Sequence, residues 1–257
     1  MKIFATDLDN TLIYSYKRDI GKDKVLVETK EGKELSFMSS NSHKLLKKME
    51  FIPVTTRSLE QYRRIEFFKG YQPEYALVAN GGILLHCGKI DDSWYLDSLK
   101  MAESAFPEMD RGMEILKEDR DICFEIRRVD GLFIFTKSRS IEKTIKNLKE
   151  KLKPELVDIH NHGEKLYIFP KTLNKGVSLE RLRELLKPQS IICAGDSEMD
   201  IPMLERADIS IFPEGLESFI TKKEGRYAVS EQHLFSDKVL ELAERFLKMG
   251  TLSSCPL

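Results

Sequence analysis

Short apolar runs alternate with longer amphipathic stretches along most of this chain. Residues 3–5, 51–55, 75–79 and 191–194 are apolar runs of the kind that reads as buried strand. Ser39 to Asn41 can cap a helix reaching Met49, and the spacing predicts further helices over 59–69, 175 onward, 199–206 and 234–248. Short strands are expected over 208–211 and 226–229. Between the first strand and the first helix lies an insertion, 14–37. It holds two extended runs about Glu31-Gly32 and predicts a β-hairpin.

After the turn Asn80-Gly81-Gly82 the pattern changes. A small hairpin is expected over 83–90, then a mostly helical stretch over 96–117 interrupted near Pro107. Strands over 122–129 and 132–137 flank Asp130-Gly131, a strong hairpin turn. A helix over 141–152 follows, and a second hairpin over 156–169 turns at His162-Gly163. This α-β-β-α-β-β order is a compact unit set inside a strand–helix alternation. The alternation itself predicts a parallel sheet with right-handed crossovers. The expected fold is therefore α/β, a doubly wound, Rossmann-like parallel-sheet core with an inserted α+β cap domain. The expected division is core over 1–82, cap over 83–170 and core again over 171–257.

Candidate chemistry sits at the ends of the apolar runs. Asp7 and Asp9 close the first run in KIFATDLDNT. Side chains alternate along a strand, so the two leave it on the same side. Carboxylates this close repel unless a cation or a shared proton relieves them. The pair suggests a divalent metal site, or a nucleophile beside a general acid. Thr55, Thr56 and Arg57 end the run FIPVTTRS, Lys175 opens a helix in NKGVSL, and Asp196 and Asp200 follow the strand in SIICAGDSEMDIPML.

In this order the segments resemble the four motifs of the haloacid dehalogenase superfamily of phosphoryl-transfer enzymes. The inserted unit resembles the caps of sucrose-phosphate phosphatases, mannosyl-3-phosphoglycerate phosphatases and phosphomannomutases. The resemblance implies that Asp7 is the nucleophile forming an aspartyl-phosphate and that Asp9 is the acid/base. It implies a Mg²⁺ held by the Asp7 carboxylate, the Asp9 backbone carbonyl and Asp196, with Asp200 orienting water or the lysine. Thr55 would donate to the phosphate, though Thr56 could take that role, and Lys175 would neutralise charge. Two departures stand out. Thr56 replaces a common glycine, and Asn10 replaces another; Asn tolerates left-handed conformations, so the turn at Asn10 should survive.

A lysine at a helix start is ill placed beside the helix dipole unless an anion is near, so removing Lys175 is expected to cost little stability. Arg57, Asn80, Arg127, Arg128 and Asn174 are candidate substrate contacts. A solvated strand face explains Arg127-Arg128 better, and turn formation alone explains Asn80. His160 and His162 share a strand face but lack a matching ligand set for zinc. Phe133 and Phe135 read as cap core rather than as a stacking platform. The 14–37 hairpin either flanks the site opening or ornaments an edge.

With 257 residues, 41 basic and 42 acidic side chains and a formal net charge of −1, the chain offers no electrostatic footprint for nucleic acid or an anionic membrane. No run approaches the roughly 20 apolar residues that span a bilayer, and no signal peptide is expected, which points to a cytoplasmic location. Cys87, Cys123, Cys193 and Cys255 read as free thiols. The expected activity is a phosphatase acting on a small phosphorylated metabolite, a sugar or polyol phosphate, in an oligomeric state the sequence leaves open. The alternatives are a phosphotransferase or phosphomutase of the same superfamily, and a non-enzymatic phospholigand sensor.

Overall fold

The computed structural model describes residues 1–249. In chain order the first part contains β1 (Lys2–Thr6), β2 (Tyr14–Ser15), β3 (Lys24–Lys30), β4 (Lys33–Ser39), α1 (Ser40–Leu46), β5 (Ile52–Pro53), α2 (Leu59–Tyr62) and β6 (Tyr75–Val78). The middle contains β7 (Ile83–His86), β8 (Lys89–Ile90), α3 (Asp92–Ala102), α4 (Phe106–Glu118), β9 (Arg127–Val129), β10 (Phe133–Lys137), α5 (Ile141–Lys151), β11 (Val157–His162) and β12 (Lys165–Pro170). The last part contains α6 (Lys175–Leu186), β13 (Ser190–Ala194), α7 (Ile201–Arg206), β14 (Ile209–Pro213), β15 (Arg226–Val229) and α8 (Phe235–Lys248).

The core is a five-stranded sheet in the order β15-β14-β13-β1-β5, and every pairing in it is parallel. Alternate residues of one strand serve opposite layers. Phe4 packs in a cluster with Leu240, Val239 and Phe246 of α8, while Ile3 and Ala5 pack with Leu179 and Leu182 of α6 and Met203 of α7. Both faces of β1 are therefore dry, which is why its sequence is continuously apolar rather than alternating. A single parallel bridge, Val54 to Leu77, extends the sheet toward β6. β7 pairs antiparallel with β6, and β8 with β7.

The inserted strands form an antiparallel sheet in the order β11-β12-β10-β9. Its outer face, with Ile134, Leu166 and Ile168, shares a core with Met109 and Leu116 of α4 and Leu148 of α5. The hairpin β9–β10 turns through Asp130 and Gly131 at φ of 47° and 73°, the left-handed pair that an Asp-Gly turn favours. The helix break expected near Pro107 falls at Glu103–Ala105, and Pro107 sits in the first turn of α4, where its missing N–H costs nothing.

Four elements are shorter than their sequences suggest: the first helix ends at Leu46 rather than Met49, and the strand expected over 51–55 is Ile52–Pro53. The helix expected over 59–69 ends at Tyr62, because tertiary contacts capture the following segment: Ile65 bridges Glu28, and the Glu66 N–H donates to the Val27 carbonyl at 2.8 Å. The strand expected over 122–129 reduces to Arg127–Val129, preceded by an isolated bridge between Ile122 and Ser138. Asn10 adopts a φ of 62°, as expected of an asparagine in the turn after the first strand.

Among the described residues no helix is long and apolar enough to cross a membrane. Cys87, Cys123 and Cys193 are free thiols; Cys255 lies outside the described residues.

Leu148 is fully buried between α5 and the inserted sheet. Leu148→Ala is expected to cost about 2–5 kcal/mol of unfolding free energy, read from urea denaturation. A loss below about 1 kcal/mol would contradict the packing described.

Candidate active site

The parallel strands end together, and their carboxyl ends gather the candidate residues, as open α/β sheets do with ligands. Asp7 follows β1, and its N–H donates to the Ala194 carbonyl of β13 at 2.9 Å. Lys175 is the first residue of α6, which Asn174 caps: its Oδ1 accepts from the Gly176 and Val177 N–H groups at 3.0 Å each. Lys175 is 1 % exposed, and its amine donates to Asp7 Oδ1 at 2.5 Å and to Asp200 Oδ1 at 2.6 Å. Asp200 Oδ2 accepts from the N–H groups of Asp196 and Ser197 and from the Ser197 hydroxyl, so both of its oxygens are engaged. Thr11 Oγ1 donates to Asp196 Oδ1 at 2.9 Å.

Asp9 belongs to a second network. Arg57 Nε and Nη2 fork its two oxygens at 2.7 and 2.8 Å. The same guanidinium donates from Nη1 to Glu28 Oε2 at 2.8 Å, and Glu28 also accepts from Arg64 and Ser36. Both networks border one cavity of about 200 Å³. Arg127, Phe133, Phe135, Lys165 and Tyr167 of the inserted sheet line its other side. These residues share the sheet face opposite the helices, because β9, β10 and β12 pair in register: Arg127 opposes Phe135, which opposes Tyr167.

The structure brings Asp7, Asp9, Thr56, Arg57, Arg127, Lys175 and Asp196 to this cavity. It does not bring four other expected contacts there. Arg128 faces away, pairs with Asp110 and lies over the Phe106 ring, because strand alternation sends it opposite to Arg127. Asn80 is buried with its amide donating to the Leu173 carbonyl at 3.4 Å, a structural role in the turn. The Asn174 side chain is consumed in capping α6. Thr55 is fully buried and its hydroxyl accepts from the Arg57 N–H at 3.2 Å, whereas Thr56 lines the cavity. Phe133 and Phe135, expected as cap core, also border the cavity.

Glu28, Thr11 and Tyr167 are residues the sequence reasoning missed. Thr11 could have been found from its place two residues beyond the Asp pair. Nothing in the hairpin sequence distinguishes Glu28 from its exposed neighbours.

A family model described as haloacid dehalogenase-like hydrolase matches residues 74–212, more than half of the chain. By sequence, the chain matches no curated protein. Among solved structures, a sucrose-phosphatase from Synechocystis in complex with sucrose and phosphate is similar, with 18% identity, a TM-score of 0.63 and coverage of 95% of this chain and 97% of that one. A haloalkanoate-superfamily phosphatase from Bacteroides thetaiotaomicron has 13% identity, a TM-score of 0.54 and coverage of 96% and 95%. A haloacid dehalogenase-like hydrolase from B. subtilis has 16% identity, a TM-score of 0.54 and coverage of 94% and 100%. At these identities the likeness is one of fold.

Asp7, Asp196 and Asp200 each offer one oxygen within 4.8 Å of the others. Burial pushes Asp7 up to about 7 despite the opposing pull of Lys175, and burial with the neighbouring Asp7 and Asp200 raises Asp196 well above the ordinary range. Burial lowers the proton affinity of the Lys175 amine, but Asp200 and Asp7 outweigh it and hold the amine charged. An all-oxygen donor set with more negative charge than one lysine offsets fits a hard divalent cation such as Mg²⁺. The surrounding protein partly desolvates Asp9 and acts to raise it, although its side chain stays open to the cavity, and the Arg57 guanidinium overrides this and holds Asp9 below its usual value.

Metal-free protein should therefore lose stability as pH rises. A raised carboxylate keeps in the folded state a proton that the unfolded chain gives up. That contribution is full below the ordinary value of 3.8 and fades toward about 7. In EDTA, the thermal midpoint of the wild type relative to Asp196→Asn is expected to fall between about pH 5 and about pH 8, and added Mg²⁺ to raise it more at the higher pH. A difference that stays flat with pH and Mg²⁺ contradicts the charge excess. Lys175 is not the stability-neutral residue its sequence position suggests, because its removal strands two buried carboxylates. Lys175→Met is expected to destabilise metal-free protein by about 3–5 kcal/mol near neutral pH, with a smaller loss in acid, by denaturant titration.

Proposed function

The chain belongs to the haloacid dehalogenase-like hydrolases, and from that premise we propose that it is a Mg²⁺-dependent phosphatase of a small phosphorylated metabolite, a sugar or polyol phosphate. One observation carries the reading: Asp7 and Asp9 leave β1 into one cavity but into opposite electrostatic surroundings. Asp7 is bonded to a buried lysine amine, and Asp9 is forked by an arginine. Their positions suit two roles: Asp7, against the Lys175 amine and in the oxygen set that fits a cation able to ionise it, serves as nucleophile, and Asp9, with acceptor sites open to the cavity, serves as acid/base.

In this reading an Asp7 oxygen attacks phosphorus while the bond to the leaving oxygen breaks. Asp9, ionised at rest beside Arg57, takes up a proton as the negative phosphate enters the cavity and delivers it to that oxygen, and the alcohol departs. Asp9 then takes a proton from water. The water oxygen attacks phosphorus, the Asp7–phosphorus bond breaks, and inorganic phosphate is released with Asp7 restored. Lys175 offsets charge on the nucleophile and the phosphoryl oxygens, and Thr56, which lines the cavity, holds the phosphate. Mg²⁺, held by Asp7, Asp196 and the Asp9 carbonyl, would add further neutralisation of the phosphoryl charge. Asp200, with both oxygens engaged, orients Lys175 and the Asp196 loop. The inserted unit, 83–170, selects the leaving group with the face that carries Arg127, Phe135, Lys165 and Tyr167. The likeness to a sucrose-phosphatase fold supports the sugar-phosphate class.

The test is a phosphatase screen over a metabolite panel with and without Mg²⁺, together with folded Asp7→Asn. Mg²⁺-dependent phosphate release is expected from one group of sugar or polyol phosphates, falling by at least about a thousandfold in Asp7→Asn. BeF₃⁻ should protect the wild type, and not the variant, against thermal unfolding. Substantial Mg²⁺-dependent turnover by folded Asp7→Asn would falsify the nucleophile assignment. Transfer of the phosphate to an alcohol rather than to water would identify a phosphotransferase.

A further inference from the structure

The inserted hairpin β3–β4 carries a buried carboxylate that the mechanism above does not use. Successive side chains of a strand face opposite sides, yet Val27 and Glu28 are each only 3 % exposed. The pairing of β3 with β4 slips between Leu26 and Glu28 and again between Glu28 and Thr29. Val27 joins the core cluster on one side of the strand while Glu28 reaches the cavity on the other. A carboxylate so buried is costly unless its oxygens are bonded. Glu28 Oε2 accepts from Arg57 Nη1 at 2.8 Å and Ser36 Oγ at 2.6 Å, and Oε1 accepts from Arg64 Nε at 3.1 Å.

Arg57 is thus fixed from two sides. A guanidinium is planar, so anchoring Nη1 on Glu28 sets the direction of the Nε and Nη2 donors as well. Those two donors fork both oxygens of Asp9. The fork uses one acceptor site on each oxygen and leaves others free. The Asp9 side chain remains 43 % exposed, so its free acceptor sites can face the cavity. No hydrogen bond or ion pair joins Glu28 to Asp7, Asp196 or Lys175 among the described residues.

We infer that Glu28 is a positioning residue: through Arg57 it fixes the Asp9 carboxylate in the orientation that meets the leaving oxygen. The inference rests on the acid/base role given to Asp9 under the proposed function. It assigns the hairpin a part in the reaction, distinct from edge ornament or simple cover. The β3–β4 register shifts by one residue at Glu28, opposite Ser36, and returns at Thr29, opposite Glu34.

Leaving-group dependence separates positioning from mere folding support. An alkyl phosphate needs a proton delivered to its leaving oxygen, whereas p-nitrophenyl phosphate leaves without one. Wild type, Glu28→Gln, Arg57→Lys and Asp9→Asn are compared with Mg²⁺ on both substrate types by kcat/KM, which reports the first phosphoryl transfer. Arg57→Lys keeps the charge but cannot fork, and it guards against failure of Glu28→Gln to fold. In both variants the alkyl-to-aryl ratio of kcat/KM is expected to drop about tenfold or more, and in Asp9→Asn further still. Equal losses on both substrates in folded Glu28→Gln and Arg57→Lys, with a selective loss in Asp9→Asn, overturn the positioning role alone. An unchanged ratio in Asp9→Asn overturns the acid role and this inference with it.

Discussion

The Lys175 amine, held between Asp7 and Asp200, fixes the geometry of the strand-end site. Its partners come from the end of β1 and the turn after β13, and Lys175 itself stands 168 positions from Asp7. None of the three charges could stay buried alone, because each would lose its hydration without compensation. The parallel pairing of β1 with β13 places the two carboxylates side by side, and the N-terminus of α6 delivers the amine between them. Close approach is permitted by absent side chains. A Cβ on Gly195 would lie 2.4 Å from Asp200 Cβ, and one on Gly176 would lie 2.2 Å from the Pro202 carbonyl oxygen. α6 can therefore press against the segment that carries Asp200 only because Gly176 and Gly195 stand at those points.

The Asp pair after β1 is split by its surroundings rather than by its own chemistry. Asp7 is desolvated beside one amine and among other carboxylates, and it is driven up to about 7. Asp9 faces a guanidinium that is itself anchored, and it is held below its ordinary value. Two residues of one type, two positions apart, thereby acquire opposite protonation tendencies. That divergence belongs to tertiary structure, since Lys175, Arg57 and Glu28 come from three different segments.

The inserted sheet contributes by having two unlike faces. Ile134, Leu166 and Ile168 face α4 and α5, and the alternate positions Phe133, Phe135 and Tyr167 face the cavity. The same period of two that builds a core on one side builds a wall over the carboxylates on the other. Aromatic residues on that wall pack against one another, with Phe135 and Tyr167 ring centroids 5.2 Å apart, while still bordering open space. This is why they satisfy both descriptions, core and contact surface.

Much of this was legible in the sequence. Continuous apolar runs ending in Asp7, Thr55 and Asp196 gave strands, their burial and their carboxyl ends, because a strand covered on both faces has no polar alternation to hide it. Lys175, Asp7 and Asp196 were legible as candidates for one site because their residue types and order match one family's motifs. What lay beyond the sequence was decided by contacts between distant segments. Asn174 was a candidate contact that capping of α6 consumes, Asn80 is taken up in the turn that already explained it, and strand alternation sends Arg128 away from the cavity. The α2 helix stopped at Tyr62 because the edge of β3 offered its backbone to Ile65 and Glu66. Glu28 could not be singled out at all, because its burial comes from Arg57, Arg64 and Ser36, partners that the fold brings to that side of the hairpin. The sequence by itself determined which strands form and where they stop. The tertiary structure decided which charges meet there, because burial and pairing are properties of neighbours that the chain brings together only on folding.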